Sequence, residues 1–400
     1  EIPSACYGRD GVKFIGAVNF PMTYLLCKHC LQRHEKHSDA RPAPVPAQCF
    51  ICQGALEQLP ALVEQALASA AHLQWSNYCV QATFSRPLMI REEALLDGEP
   101  LEEAMVIKNQ ANRIAMKEIE KQSKKPFKPD GELVIKLDFW HTAGTAIAAP
   151  IFIFGHYVKK SREWCQHDWA CTACRGKGCE QCHFRKQEYP AIETAFRDVF
   201  KPAFGASDAY LHASGREDVD VMCLATGRPF VFELVHPQKR TADLSELARV
   251  ISEKYPLVVL GLKFVLPTWP TIVCTSHFDK HYRAWVEADR PFSEQDWQTI
   301  RSALPIKVLQ QTPTRVLRRR ADLIRPRSVY SIKPVSFSPT EWVLDIHAEA
   351  GTYIKELIHG DVGRTKPSFS GLLGTPCRCK QLDVMGVDDM FLLTLSDGSG

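Results

Sequence analysis

Ser214-Gly-Arg-Glu-Asp-Val-Asp-Val221 is the stretch on which the reading of this chain turns. A glycine-led turn that runs into an apolar strand presents its polar residues ahead of the strand, and here it sets the carboxylate of Asp218 beside the guanidinium of Arg216. An ion pair of that kind keeps an acid deprotonated. A carboxylate so held can work as a nucleophile or a base. Two other readings stay open on the residues alone. The turn can be a surface feature with an ordinary salt bridge, and Asp220 competes with Asp218 for the same role.

Outward from this turn, 400 residues are too many for one ordinary core, so two or three domains are expected. Apolar residues at 45% and charged residues at 24% exclude wholesale disorder, collagen-like and coiled-coil structure. Lys plus Arg at 49 against Asp plus Glu at 46 leaves +3, so no global field announces a polyanionic partner. The local distribution does: Arg301 to Tyr330 carries eight basic residues against Asp322 alone. Within it, Thr312-Pro-Thr-Arg-Val-Leu-Arg-Arg-Arg320 offers Arg315, Arg318, Arg319 and Arg320, suited to bidentate phosphate contacts or, more plainly, to a solvated charged face.

Of 15 cysteines, eight fall in C-x-x-C pairs, which in a long chain read as metal ligands in a reducing compartment rather than a disulfide scaffold. Cys27, Cys30, Cys49 and Cys52 form C-x2-C-x18-C-x2-C, the spacing of a structural zinc ribbon, with all four tetrahedral positions filled by protein. A redox pair or two unrelated buried thiol pairs is the alternative. Cys171, Cys174, Cys179 and Cys182 form C-x2-C-x4-C-x2-C, with Gly176 and Gly178 letting the backbone reverse. That second set can be its own knuckle, a shared site completed by Cys165, His167 or His183, or a thiol switch.

Periodicity predicts helices over 56–73, 101–125, 191–200, 242–254 and 352–359, and strands over 78–84, 132–139, 150–158, 219–223, 230–234, 257–264, 271–275, 328–332 and 342–347. Residues 1–160 are expected to form one domain, 161–187 a cysteine-rich linker or zinc module, and 188–400 a second domain. The apolar stretch from Ala143 to Gly155 falls short of the roughly 18 residues a membrane span needs, so no membrane association is expected. The first residue is Glu1 rather than a methionine, so targeting at the N-terminus stays undecided.

Phosphate loops are missing. Ser-Gly-x-x-Asp is similar to the pyrophosphate-binding loop of ATP-dependent tRNA sulfur-transfer enzymes, but that loop needs glycine where Arg216 stands and serine where Val219 stands. Neither G-x-x-x-x-G-K-[ST] nor G-x-G-x-x-G occurs, so nucleotide-dependent chemistry loses its support.

Four motifs taken together, Gly215-Arg-Glu-Asp-Val-Asp, Thr226-Gly-Arg-Pro-Phe-Val-Phe-Glu233, Thr312-Pro-Thr-Arg-Val-Leu-Arg-Arg, and Gly351-Thr-Tyr-Ile-Lys-Glu with Gly363-Arg-Thr-Lys-Pro367, resemble the pseudouridine synthase 10 family in residue and order. These are tRNA pseudouridine synthases with an N-terminal THUMP-containing domain. The resemblance implies an α+β protein: a pseudouridine synthase fold, with a mixed, mainly antiparallel sheet and a central cleft, preceded by a zinc-bearing α/β THUMP-containing domain. It implies Asp218 as the essential aspartate, Tyr282 against the target base, Lys355 as basic partner of the aspartate and Leu372 closing the pocket. Arg216, Arg315, Arg318, Arg319, Arg320, Arg364 and Lys366 are the expected RNA contacts. The chain departs from the family at Met222, where arginine is usual, and at Ala225, where glycine is. Further expectations are T-loop uridines 54 and 55 of tRNA as targets, structural zinc, no organic cofactor, a monomer, and an intracellular setting in nucleus or cytoplasm. The rival expectation is a catalytically silent tRNA-binding or RNA-processing adaptor that keeps the fold.

Overall fold

A computed structural model describes residues 23–34, 39–96, 106–317 and 320–395, which leaves Arg318, Arg319 and the start of the helix expected from Leu101 outside the described residues. The chain forms two compact units, Glu1–Ile147 and Ala148–Gly400.

In the first unit, β1 (Tyr24–Leu26) pairs in parallel with β2 (Ala40–Pro42) across α1 (Lys28–Arg33). There follow α2 (Leu59–Ser69), β3 (Tyr78–Thr83), α3 (Arg86–Leu96), α4 (Ile107–Ser123), β4 (Leu133–Asp138) and β5 (Ala143–Ala148), with sheet order β3-β4-β5. Helix spacing makes the core. Leu59, Leu62, Val63 and Ala66 of α2 and Ile107, Ala111, Ala115 and Ile119 of α4 are buried on single faces, while β4 buries alternate residues Leu133, Ile135 and Leu137. Gly144 is required where β5 crosses α2, because a Cβ there would lie 1.8 Å from the carbonyl oxygen of Leu62.

The second unit is built on ten strands: β6 (Ile151–Lys159), β7 (Asp208–Ala213), β8 (Met222–Val235), β9 (Leu257–Val265), β10 (Lys280–Ala288), β11 (Ile306–Gln311), β12 (Ile324–Phe337), β13 (Trp342–Ala348), β14 (Thr365–Lys366) and β15 (Cys377–Val387). Their order is β14-β11-β12-β13-β10-β15-β8-β6-β9, with β7 on β8. Pairing is antiparallel except at one seam, where β15 meets β8 in parallel at Asp383↔Met222 and Val384↔Cys223. This is the mixed, mainly antiparallel sheet expected. Helices α5 (Ile192–Phe204) and α6 (Leu244–Lys254) cover one region, α5 burying Ile192, Phe196, Phe200 and Phe204 against Phe230 and Phe232. Helices α7 (Trp269–Thr275), α8 (Glu294–Ser302), α9 (Ile354–His359) and α10 (Phe369–Leu373) pack on a separate core around Tyr282, Leu344 and Ile358.

Three expectations change. The strand Pro150–Val158, placed with residues 1–160, lies in the large sheet of the second unit, paired with β8 and β9. An apolar run that opens after a proline reads the same whichever sheet takes it in. The segment 271–275 is the end of helix α7, not a strand: Pro270 sits in the first turn, and Trp269 and Val273, one turn apart, share the buried face. Of the strand expected at 219–223, Val219–Val221 belong to the preceding turn, and Met222 and Cys223 run on into the strand expected at 230–234 as one strand, bent where Ala225 (φ 48°) and Gly227 (φ 77°) take left-handed backbone.

Candidate active site

The turn Ser214–Val221 leads from β7 into β8 just before the parallel seam, and α9 and the short turn Thr314–Val316 bring their side chains to its open side. Gly215 takes φ 77°, as the turn demands. The first residue of the seam strand therefore follows directly on the acid-bearing turn.

Asp218 lies between two cations. Arg315 donates from Nη1 to Oδ1 at 2.9 Å, and the Nζ of Lys355 stands 3.3 Å from Oδ2. Burial pushes the Asp218 carboxyl up, and Arg315 and Lys355 more than reverse this, leaving it below its ordinary value. Arg315 is itself clamped: its Nε donates at 2.7 Å to Oε1 of Glu356, a carboxylate on α9 that is almost fully buried. Lys355 is shared with Asp220, donating to both its oxygens at 2.9 and 2.8 Å. The carboxylate is ionised, oriented and partly open, which suits attack on or proton transfer with a polar substrate.

Beneath the same turn is a buried polar layer. Arg228 pairs through Nε with Glu217 at 2.8 Å and donates from Nη1 to the Ser214 carbonyl at 2.6 Å. Tyr157 donates its hydroxyl to Glu217, and Gln166 donates to that hydroxyl oxygen and to the Gly215 carbonyl. Lys159, without exposed surface, donates to the carbonyls of Trp164, Asp218 and Val219. Burial pushes its ammonium below the ordinary value, with Glu217 pulling the other way.

The residues singled out from sequence divide. Asp218 and Lys355 meet, and Arg315 joins them from the arginine-rich segment. Arg216 does not meet Asp218; it is exposed, with its guanidinium 5.9 Å from the ring of Trp169. Tyr282, on β10, is buried in the core with Val221 and Cys223, where burial pushes its phenol up to about 12, Arg228 opposing. No hydrogen bond among the described residues joins it to Asp218. Leu372 and Lys366 border a pocket of about 800 Å³ whose lining includes none of Asp218, Tyr282 or Lys355. Arg364 is spent on the Thr312 carbonyl and Asp322, while Arg320 donates to the Tyr353 hydroxyl and keeps an exposed side chain. Sequence reasoning missed Glu356, Glu217, Arg228, Lys159 and Gln166. The first three stand inside the quoted motifs, an acid beside each chosen residue and an arginine after a glycine, and that adjacency was the available signal.

Both cysteine sets close on themselves. In the second, Sγ–Sγ separations of 3.9, 4.0 and 3.8 Å match the edge of about 3.8 Å that a tetrahedron of Zn–S bonds of about 2.3 Å requires. Backbone N–H groups of Gly178 and Cys179 point at the Cys174 and Cys182 sulfurs. Cys165 turns instead to backbone carbonyls, its thiol donating to His167 O at 3.1 Å. In the first set the four cysteines are buried, Cys27 and Cys52 lie 3.5 Å apart, and Arg33 donates to the Cys30 sulfur. A third group, His281 and His347 on Asp388, is accounted for by hydrogen bonds. The two rings stack in parallel at 4.1 Å and send both Nε2 atoms to the same carboxylate, at 3.0 and 2.9 Å.

No helix among the described residues is long and apolar enough to cross a membrane. Residues 152–388 match the family model described as "Pus10, C-terminal". The chain is similar to the tRNA pseudouridine synthase Pus10 of Methanopyrus kandleri, 33% identical over 90% of this chain and 85% of the relative. It is also similar to that of Archaeoglobus fulgidus, 34% identical over 86% of this chain and 96% of the relative. Among solved structures, a Cbf5-Nop10-Gar1 complex matches 58% of this chain and 48% of its own, at 17% identity and a TM-score of 0.29.

Proposed function

Because the chain belongs to the Pus10 family of tRNA pseudouridine synthases, we propose that it isomerises a T-loop uridine of tRNA, at position 54, 55 or both, with Asp218 as the reacting carboxylate. A stacked uridine is out of reach, so the base must be extruded from the loop before reaction. Exposed Arg216, Arg320 and Lys366, together with Arg318 and Arg319, hold phosphates while it turns out. Asp218 then acts as nucleophile or base: the N1–C1′ bond breaks, the uracil turns, and C5 bonds to C1′. A proton leaves C5 and one arrives at N1, so the reaction balances without a cofactor. Zinc in the two cysteine sets serves folding and the docking of tRNA.

The observation that carries this reading is the placement of Asp218 between Arg315 and Lys355 on a half-open turn inside the segment that matches the family. Asp218→Ala should abolish pseudouridine in a tRNA transcript, read by carbodiimide mapping of the T-loop, while tRNA binding survives. Undiminished product would sink the assignment. Wild-type protein that binds the transcript without turnover would favour the silent adaptor instead.

A further inference from the structure

The turn that carries Asp218 makes few backbone hydrogen bonds of its own, yet its carbonyls are held one after another by side chains. Gln166 takes Gly215, Lys159 takes both Asp218 and Val219, and Arg162 takes Asp220 at 2.8 Å. All three donors come from one eight-residue stretch, 159–166, that leads out of β6 into the second cysteine set. Lys159 ties the two segments directly, since the same ammonium donates to Trp164 O on the stretch and to the turn. The far side of the module returns to the same place: Cys165 bridges Ala191, and Ile192 N–H donates to Cys165 O as α5 begins. Arg216 of the turn also lies over Trp169 of the module.

A buried ammonium coordinated by three carbonyls has no solvent alternative, so it fixes the backbone more firmly than an exposed ion pair fixes a side chain. The module, by contrast, has too little apolar surface to order itself, and its four sulfurs are its centre. We propose that Lys159 and Gln166 are positioning residues for Asp218, and that through them the folded cysteine module forms part of the active-site scaffold in addition to any part it takes in docking tRNA. The inference rests on the reading of Asp218 as the reacting group. A misplacement of about 1 Å at a reacting group costs on the order of a hundredfold in rate.

The experiment compares Lys159→Met, Gln166→Leu, Arg162→Met and Cys174→Ser with wild type and Asp218→Ala. It reads single-turnover pseudouridine formation, tRNA affinity, zinc content by atomic emission, and amide hydrogen exchange over residues 214–221. Lys159→Met and Gln166→Leu are expected to lower the rate ten- to a hundredfold, leave tRNA affinity within about threefold, and raise exchange across the turn. Cys174→Ser should lose one zinc per chain and raise exchange over the same residues. Wild-type rates in both Lys159→Met and Gln166→Leu, with Asp218→Ala inactive, would overturn the proposal while sparing the assignment of Asp218. An active Asp218→Ala would instead sink that assignment, and turn exchange would still report the linkage. Slowed turnover with unchanged exchange would also overturn the proposal. Should Lys159→Met fail to fold, Arg162→Met, at a partly exposed donor to the same turn, replaces it under the same criteria.

Discussion

Glu217 and Asp218 are consecutive acids on one turn, and the two sides of that turn treat them in opposite ways. Below, Glu217 is sealed with Arg228, Tyr157 and Lys159, its side chain 1% exposed. Above, Asp218 is 38% exposed and shares Arg315 and Lys355 with Glu356 and Asp220. The underside gives each charge one set of partners and almost no exposed surface, so losing a partner has no ready substitute. The open side offers exchangeable partners, so its groups can be displaced by substrate. Burial and exposure are separated across the thickness of a single turn.

Arg228→Met tests the underside and should have the largest effect. It leaves the Glu217 carboxylate buried without its guanidinium and the Ser214 carbonyl without its donor, a loss of about 3–5 kcal/mol in stability by denaturant unfolding. A loss below about 1 kcal/mol, the scale of a surface pair, would break the contrast between the two sides.

How far the sequence foretold this arrangement follows the same division. The open side was legible because its residues stand in recognisable strings: Asp218 in the Gly-Arg turn, Lys355 behind Gly351, Arg315 in the basic run. What could not be read was the pairing. Arg216 neighbours Asp218 in sequence, but the turn points it toward Trp169, and Arg315, 97 residues away, takes the place expected of it. The underside was illegible for a related reason. Lys159 ends an apolar strand and looks like a solvated terminus until β6 is placed beside β8 in the large sheet, and the sequence reading had assigned that strand to residues 1–160. Elements with a strong period were readable within a few residues of their ends, as for α2 and α5 and for the C-terminal end of α4. Helix α7 was not, because seven residues are too few to separate the two periods.

On the open side, Arg315→Gln keeps a donor for Glu356 but removes the charge beside Asp218. Stability should fall by about 1.5–3 kcal/mol, because the buried Glu356 carboxylate exchanges a charged donor for a neutral one, whereas turnover should fall on the order of tenfold to a hundredfold. The pH profile gives the sharper reading. In wild type the Asp218 carboxyl lies below its ordinary value, so the ionised form, and the stability it contributes, is fully present near neutral pH and is lost only as pH falls through that lowered value. Without Arg315 the burial of the carboxyl still pushes upward and less opposes it. The acid limb of the single-turnover rate should therefore move to higher pH. A limb that stays in place would mean that Arg315 serves Glu356 and not Asp218.

The smallest effect is expected at Asp220, and it settles which of the two aspartates reacts. Lys355 lies nearer to Asp220, at 2.8 Å, than to Asp218, at 3.3 Å, so distance alone would assign the cation to Asp220. Yet Asp220 is 66% exposed, its carboxylate meets no second cation among the described residues, and Arg162 binds its backbone rather than its side chain. Asp220→Asn leaves that backbone contact in place and weakens only the claim on Lys355, whose ammonium is then free to lean on Asp218. Single-turnover rate at neutral pH should change by less than about threefold and stability by less than about 0.5 kcal/mol, as for other exposed surface changes. A loss approaching that of Asp218→Ala would transfer the reacting role to Asp220, and with it the meaning of every contact on the open side. A near-silent variant would fix Lys355 as a bridge whose two acids differ in one respect that matters: only the half-buried one, also paired with Arg315, is held in a single orientation.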